Sequence, residues 1–160
     1  ITYTLPDSEH TITLRGNIDR LDEAVLPDGT TCWRVLDYKT GGKPDNEKPK
    51  DMEHLFTPNE KHPHYALQTF LYALMLGNKT QLPLVPSLFF VHCTMNENYT
   101  PYISFEGQPM LHFQQIMPAF KARLQELLSE MFDPSTPFHA TGEDLKHCSS
   151  CAYASLCGRG

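Results

Sequence analysis

Three residues in the stretch Gly16–Gly41 (GNIDRLDEAVLPDGTTCWRVLDYKTG) carry side chains suited to metal-assisted chemistry: Asp19, Asp37 and Lys39. Asp37 and Lys39 are two positions apart, so on an extended strand they project from one face. Leu36 and Tyr38 are then expected to point the other way, into packing. Asp19 is expected near the end of a preceding strand, with Leu26–Thr31 (LPDGTT) as the turn between the two. Such a hairpin sets Asp19 beside Asp37 across the ladder. Two close carboxylates repel unless a cation lies between them, and Mg²⁺ takes oxygen ligands of this kind. Lys39 then stands one strand-step from the metal, where it can stabilise developing negative charge or orient an attacking water. By spacing alone, D-x17-D-x-K also describes a solvated strand end with surface ion pairs. The neighbours Trp33, Val35, Leu36 and Tyr38 favour a buried strand instead, and buried charges are rare unless paired or metal-bound.

A second set lies at the other end of the chain, Cys148-x2-Cys151-x5-Cys157. CxxC brings two thiolates to one ion, and zinc and iron–sulfur clusters both use such ligands. Five cysteines is an odd number and three crowd into the tail, which reads as metal binding in a reducing, cytoplasmic setting rather than as a disulfide framework. A full site needs a fourth ligand: His147 is adjacent, whereas Cys32 and Cys93 read as structural, and the ligand can also lie in sequence before Ile1.

Around these sets the chain predicts a mixture of strands and helices. Ile1–Leu5 reads as an edge strand, Pro6–His10 as a turn, Thr11–Asp19 as a second strand and Trp33–Lys39 as a third, joined in an antiparallel meander. Thr40–Lys61 is polar and reads as a long mobile loop, either covering substrate or a disordered insertion. His62–Leu76 is a helix apolar nearly all round, hence buried, with Gly77 as its stop. On it Gln68 and Tyr72 share a face; such a pair is more often a satisfied core couple than part of a site. Pro83 and Pro86 flank a linker, Ser87–Met95 suits a central strand, and Tyr99–Phe105 is a candidate partner for it. Leu111–Phe132 is an amphipathic helix that Pro118 must kink or restart. A Pro-rich connector over Asp133–Thr141 leads to the cysteine-rich tail, so the division expected is a core at 1–141 and a metal staple at 142–160.

The length of 160 residues fits one domain with a sizeable core, and no apolar run reaches membrane-spanning length. No signal peptide is visible, and the opening at Ile1 reads as a piece of something longer. The formal charge of −6 argues against a broad nucleic-acid-binding surface but not against a metal-bridged contact, because residues that hold metals count toward it.

With these residues in view, the chain resembles the PD-(D/E)XK nuclease superfamily in its RecB-like branch. GNIDRLD (Gly16–Asp22), VLDYKTG (Val35–Gly41) and QTFLY (Gln68–Tyr72) carry the resemblance and stand in the family's order. The tail resembles the iron–sulfur staple of AddB-like helicase-nuclease subunits and CRISPR-associated RecB-like nucleases. The resemblance implies an α/β, restriction-endonuclease-like fold, a mixed sheet flanked by helices. It implies Mg²⁺ or Mn²⁺ held by Asp19, Asp37 and the backbone carbonyl of Tyr38, with Lys39 as catalytic lysine and Gln68 and Tyr72 beside the site. Cys148, Cys151 and Cys157 would ligate a [4Fe–4S] cluster, replaced by zinc or absent if the family's upstream fourth cysteine is missing. Asp22 would be a second neighbour of the site or a partner of Arg20. The implied activity is metal-dependent hydrolysis of DNA, exonucleolytic rather than endonucleolytic, on single strands or ends. The implied setting is DNA repair or recombination, with a helicase partner or a helicase domain of the same chain. Two other readings stand beside it: a non-catalytic DNA-binding or scaffolding module that keeps the fold, and a zinc-stapled interaction domain.

Overall fold

The computed structural model describes residues 1–4, 11–57, 61–137, 148 and 151–158. The chain divides into two compact units, Ile1–Ser129 and Glu130–Gly160. The first is organised on β3 (Arg20–Val25), β4 (Thr31–Lys39) and β5 (Leu84–Phe90), side by side in that order. β3 and β4 form an antiparallel hairpin from Arg20 opposite Leu36 to Val25 opposite Thr31. Its turn is fixed by Asp28, whose Oδ1 accepts from the Thr30 N–H at 2.9 Å.

β5 runs parallel to β4, with Trp33 opposite Leu84 and Lys39 opposite Phe90. The antiparallel meander expected of the first three strands is not the topology, because Thr2–Thr4 and Thr11–Thr13 form a sheet of their own. A parallel neighbour requires a crossover, and the segment read as a loop supplies its first part. Thr40–Lys61 contains a 3₁₀ turn at Pro44–Asn46 and the short helix α1 (Met52–Phe56), and it buries Glu47, Pro49, Leu55 and Phe56. Its polar composition hid this, because a five-residue helix is too short to display a period. The crossover is completed by α2 (His64–Leu76), close to the predicted helix.

β4 sorts its side chains by parity. Val35 faces a core that includes Phe70 and Ala73 of α2, Leu84 and Phe90 of β5, and Phe113. Cys32, on the other face, packs with Leu26 and Val85, and burial pushes its thiol pKa up, as befits a structural cysteine. β5 begins at Leu84, three residues before the expected start, and includes Pro86. Pro86 shares parity with Leu88 and Phe90, whose N–H groups point away from β4 to Pro101 O and the Tyr99 hydroxyl, both at 2.8 Å. The missing donor of the proline thus falls on the sheet's edge, where it costs no ladder bond. Beyond Phe90 the chain turns into a 3₁₀ segment, Val91–Cys93, rather than continuing to Met95.

The Tyr99–Phe105 segment lies along that edge. Ser87 bridges Tyr102, and the Tyr99 hydroxyl donates to Leu88 O at 2.7 Å. Its last residues form β6 (Ser104–Phe105), paired with β7 (Gln108–Pro109). α3 (Met117–Phe132) buries Phe120, Leu124 and Leu128 and carries Pro118 in its first turn, where no intrahelical donor is needed. It restarts after a 3₁₀ turn at Phe113–Gln115 instead of running through from Leu111. At the N-terminus, β1 (Thr2–Thr4) and β2 (Thr11–Thr13) pair with each other. Thr11–Asp19 is consequently not one strand: the ladder stops at Thr13, and the β4 partner starts at Arg20.

Of the second unit, the described residues are the end of α3, the turn that follows and part of the tail. Asp133 folds that turn, accepting from Ser135 and Thr136. Cys151–Gly158 is a run of turns. The expected boundary at 141/142 lies outside the described residues. No described helix is long and apolar enough to cross a membrane.

Candidate active site

The buried face of β4 turns from apolar to charged at its C-terminal end. Asp37 is only 3% exposed, and Lys39 follows on the same side. Their side chains meet, with Lys39 Nζ 2.6 Å from Asp37 Oδ2. Oδ2 is buried, and the Lys39 ammonium is its polar contact among the described residues. Parallel strands end here too, and in open α/β sheets the carboxyl ends of such strands are where ligands bind.

Asp19 reaches the same place from the other strand. Arg20 is paired with Leu36, so one step beyond the ladder Asp19 stands opposite Asp37. It lies immediately before β3, not at the end of the strand expected upstream. Its Oδ2 accepts from the Tyr38 N–H at 2.9 Å, replacing the backbone partner that β3 no longer provides. Tyr38 itself is not packed inward as expected. It is 40% exposed, because it lies on the sheet face opposite α2, where Phe89 covers only its edge.

α2 covers Asp37 and Lys39. Lys39 Nζ donates to Gln68 Oε1 at 2.9 Å, and Gln68 Nε2 donates to the Tyr72 hydroxyl at 2.8 Å. Gln68 and Tyr72 are thus joined to Lys39 in one hydrogen-bonded row rather than forming a self-contained core pair. Gly16 contributes by being small: a Cβ there would lie 2.6 Å from Tyr72 Cε1. Asp22 is committed elsewhere, accepting from Arg20 Nε at 2.6 Å and Arg34 Nη2 at 2.7 Å. The hydrogen bonds from Arg34 and Arg20 hold its carboxyl below the usual range.

Two neighbours escaped notice in the sequence. Tyr65 lies with its ring centroid 4.1 Å from Lys39 Nζ. Glu47, 4% exposed, accepts from the Ala66 N–H at 2.9 Å and so caps the start of α2, whose preceding residue Pro63 offers no side-chain cap. Burial raises the Glu47 pKa. Its place in a polar segment gives no signal, whereas Tyr65, an aromatic one turn before Gln68, is a signal the sequence carries.

The chain matches the family model of the PD-(D/E)XK nuclease superfamily over residues 2–158. It belongs to that superfamily. No curated protein and no solved structure matches it. Members of the PD-(D/E)XK superfamily are generally nucleases that typically use divalent metals, and the mixed α/β architecture described above is consistent with a restriction-endonuclease-like fold. A nuclease fold of this kind implies DNA as substrate.

The residues present fit a weakly caged divalent ion better than a preformed one. Among the described residues no group of three or more His, Cys, Asp or Glu side chains is placed to hold a metal ion. Mg²⁺ does not require one, being held through one or two carboxylates, waters and substrate phosphate. Asp37 Oδ2, buried and met by the Lys39 ammonium alone among the described residues, has lone-pair capacity left for such an ion. The tail differs. Cys151 and Cys157 are exposed, Cys148 is half-buried, and the three do not form a metal-holding group among the described residues. His147 lies outside those residues.

Proposed function

We propose that this PD-(D/E)XK domain is a metal-dependent deoxyribonuclease whose site is Asp19, Asp37, Lys39 and the Tyr38 carbonyl, with Gln68 and Tyr72 as supports. The observation that carries this is the convergence of Asp37 Oδ2, Lys39 Nζ and Gln68 Oε1 within hydrogen-bonding reach at the C-terminal end of β4, where Asp19 arrives from the neighbouring strand. Asp19 and Asp37 would hold Mg²⁺ or Mn²⁺. The N–H and C=O of a strand residue leave on the same edge, so the Tyr38 carbonyl faces the side from which Asp19 accepts the Tyr38 N–H. Such an ion supplies Lewis-acid stabilisation of phosphoryl charge. Lys39 places a positive charge beside the scissile phosphate, and Gln68 orients it, its own amide fixed by Tyr72.

Cleavage of single-stranded DNA in Mn²⁺ tests the assignment. Asp37→Ala and Lys39→Ala are each expected to lower the rate on the order of 100-fold or more. Equal rates in the three proteins would remove these residues from the chemistry. One observation favours a second reading, a non-catalytic DNA-binding or scaffolding module: Asp37 and Lys39 already offset one another's charge at 2.6 Å. Calorimetric titration with Mn²⁺ separates the two, because the module has no site that Asp19→Ala or Asp37→Ala abolishes.

The finer placement, in the RecB-like branch, is supported by GNIDRLD, VLDYKTG and QTFLY and by the C-x2-C-x5-C tail. On that placement the enzyme is an exonuclease acting on DNA single strands or ends, serves repair or recombination in the cytoplasm and works with a helicase. Cys148, Cys151 and Cys157 then hold a [4Fe–4S] cluster or zinc, with a further ligand supplied by another residue. Visible absorbance of anaerobically purified protein tests for the cluster, and its loss in Cys151→Ser assigns it to the tail.

A further inference from the structure

Lys39 is held on three sides, and only two of them are oxygen. Its ammonium contacts Asp37 Oδ2 at 2.6 Å and Gln68 Oε1 at 2.9 Å, and the Tyr65 ring lies 4.1 Å away. An ammonium group over an aromatic face is attracted by the ring's quadrupole. The ring is itself clamped. It packs near His64, at 4.1 Å between centroids, and Phe90, at 6.4 Å. Gly42, with φ +84°, passes so close that a Cβ would lie 2.9 Å from Tyr65 Cε2. Thr69 Oγ1 donates to the Tyr65 carbonyl at 2.8 Å, tying the residue into α2.

We propose that Tyr65 is a positioning residue for Lys39: its clamped ring face fixes the ammonium without adding negative charge to the site. The chemistry calls for a neutral partner of this kind. A second carboxylate against Lys39, beside Asp37, would outweigh its charge and repel a phosphate, whereas a ring face orients the ammonium and sheds water without adding negative charge. The ring also makes no claim on Asp37, so it holds Lys39 in place whether or not that carboxylate is shared with a cation. The contribution to turnover rests on the nuclease reading; the placement of Lys39 does not.

The closing experiment has a spectroscopic arm and a kinetic arm. In the metal-free protein, protons above an aromatic face resonate upfield. The Lys39 ε-methylene signal, assigned by its disappearance in Lys39→Ala, is expected upfield of the other lysines. It should stay there in Tyr65→Phe and move to the common lysine position in Tyr65→Leu, or in Tyr65→Met should the leucine variant not fold. In the kinetic arm, Tyr65→Leu is expected to lower kcat about tenfold with KM little changed, and Tyr65→Phe to stay within about twofold of wild type. In a Lys39→Ala background the same leucine substitution is expected to have no further effect. A wild-type Lys39 signal at the common position, or one indifferent to Tyr65→Leu, overturns the proposal, as does an undiminished cost of Tyr65→Leu without Lys39. If the wild type cleaves no DNA, the nuclease reading fails and the spectroscopic arm alone decides whether Tyr65 positions the lysine.

Discussion

Asp37 shows how a single residue can be legible by type and illegible by circumstance. Its spacing from Lys39 put both on one strand face, and the structure has them in contact. What the spacing could not convey is that one of its oxygens is buried with only the Lys39 ammonium against it among the described residues. Gly16 was likewise visible as the first letter of a motif, but its role is one of space. Adding a methyl group drives it into the Tyr72 ring, which cannot retreat, since Tyr72 is itself buried. Gly16→Ala is therefore expected to destabilise the fold by about 1–3 kcal/mol and to loosen the row from Tyr72 through Gln68 to Lys39. Urea denaturation measures the first effect. For the second, Tyr72→Phe is the companion variant: it keeps the ring and removes only the oxygen that fixes Gln68, so it should slow turnover with little change in the unfolding midpoint.

Among the elements, the helix α2 was readable because it is long and apolar, and β4 because its neighbours are. The crossover between β4 and α2 was not, because its order comes from a few buried contacts scattered through polar sequence. Glu47 is the chief of them. Its carboxylate satisfies a backbone donor at the start of a helix that lacks a cap of its own, and a helix N-terminus favours negative charge. Removing it in Glu47→Ala leaves a buried N–H unsatisfied, at a cost of about 1–3 kcal/mol. Because burial raises the Glu47 pKa, the folded chain keeps this proton where the unfolded chain has already released it. Its contribution is thus greatest below the ordinary glutamate range and declines as pH rises through the raised value. Glu47→Gln should flatten that part of the stability–pH curve, a result read by denaturant titration at several pH values. An unchanged slope would mean that the carboxylate is solvated in solution.

For the molecule as a whole, the family and the mixed α/β architecture were legible from three short motifs, whereas strand order was not: nothing in the sequence of β5 announces that it runs parallel to β4. The residues of both buried apolar clusters lie between Tyr3 and Leu128, all within the first unit. Replacing Cys148, Cys151 and Cys157 together by Ser is therefore expected to leave the main unfolding transition within about 0.5 kcal/mol of wild type. A larger loss in calorimetry would show that the tail supports the core through a bound metal. The phenol of Tyr99 has a different reach. One oxygen receives the Phe90 N–H and gives its proton to Leu88 O, standing in for the strand that would otherwise continue the sheet. Pro101 and Tyr102 cover part of that edge with their backbone, and this side chain closes its end. Deprived of that atom, as in Tyr99→Phe, the boundary becomes a template. Neighbouring copies would then be free to add their own strands, so a change of one oxygen should surface as concentration-dependent association in sedimentation.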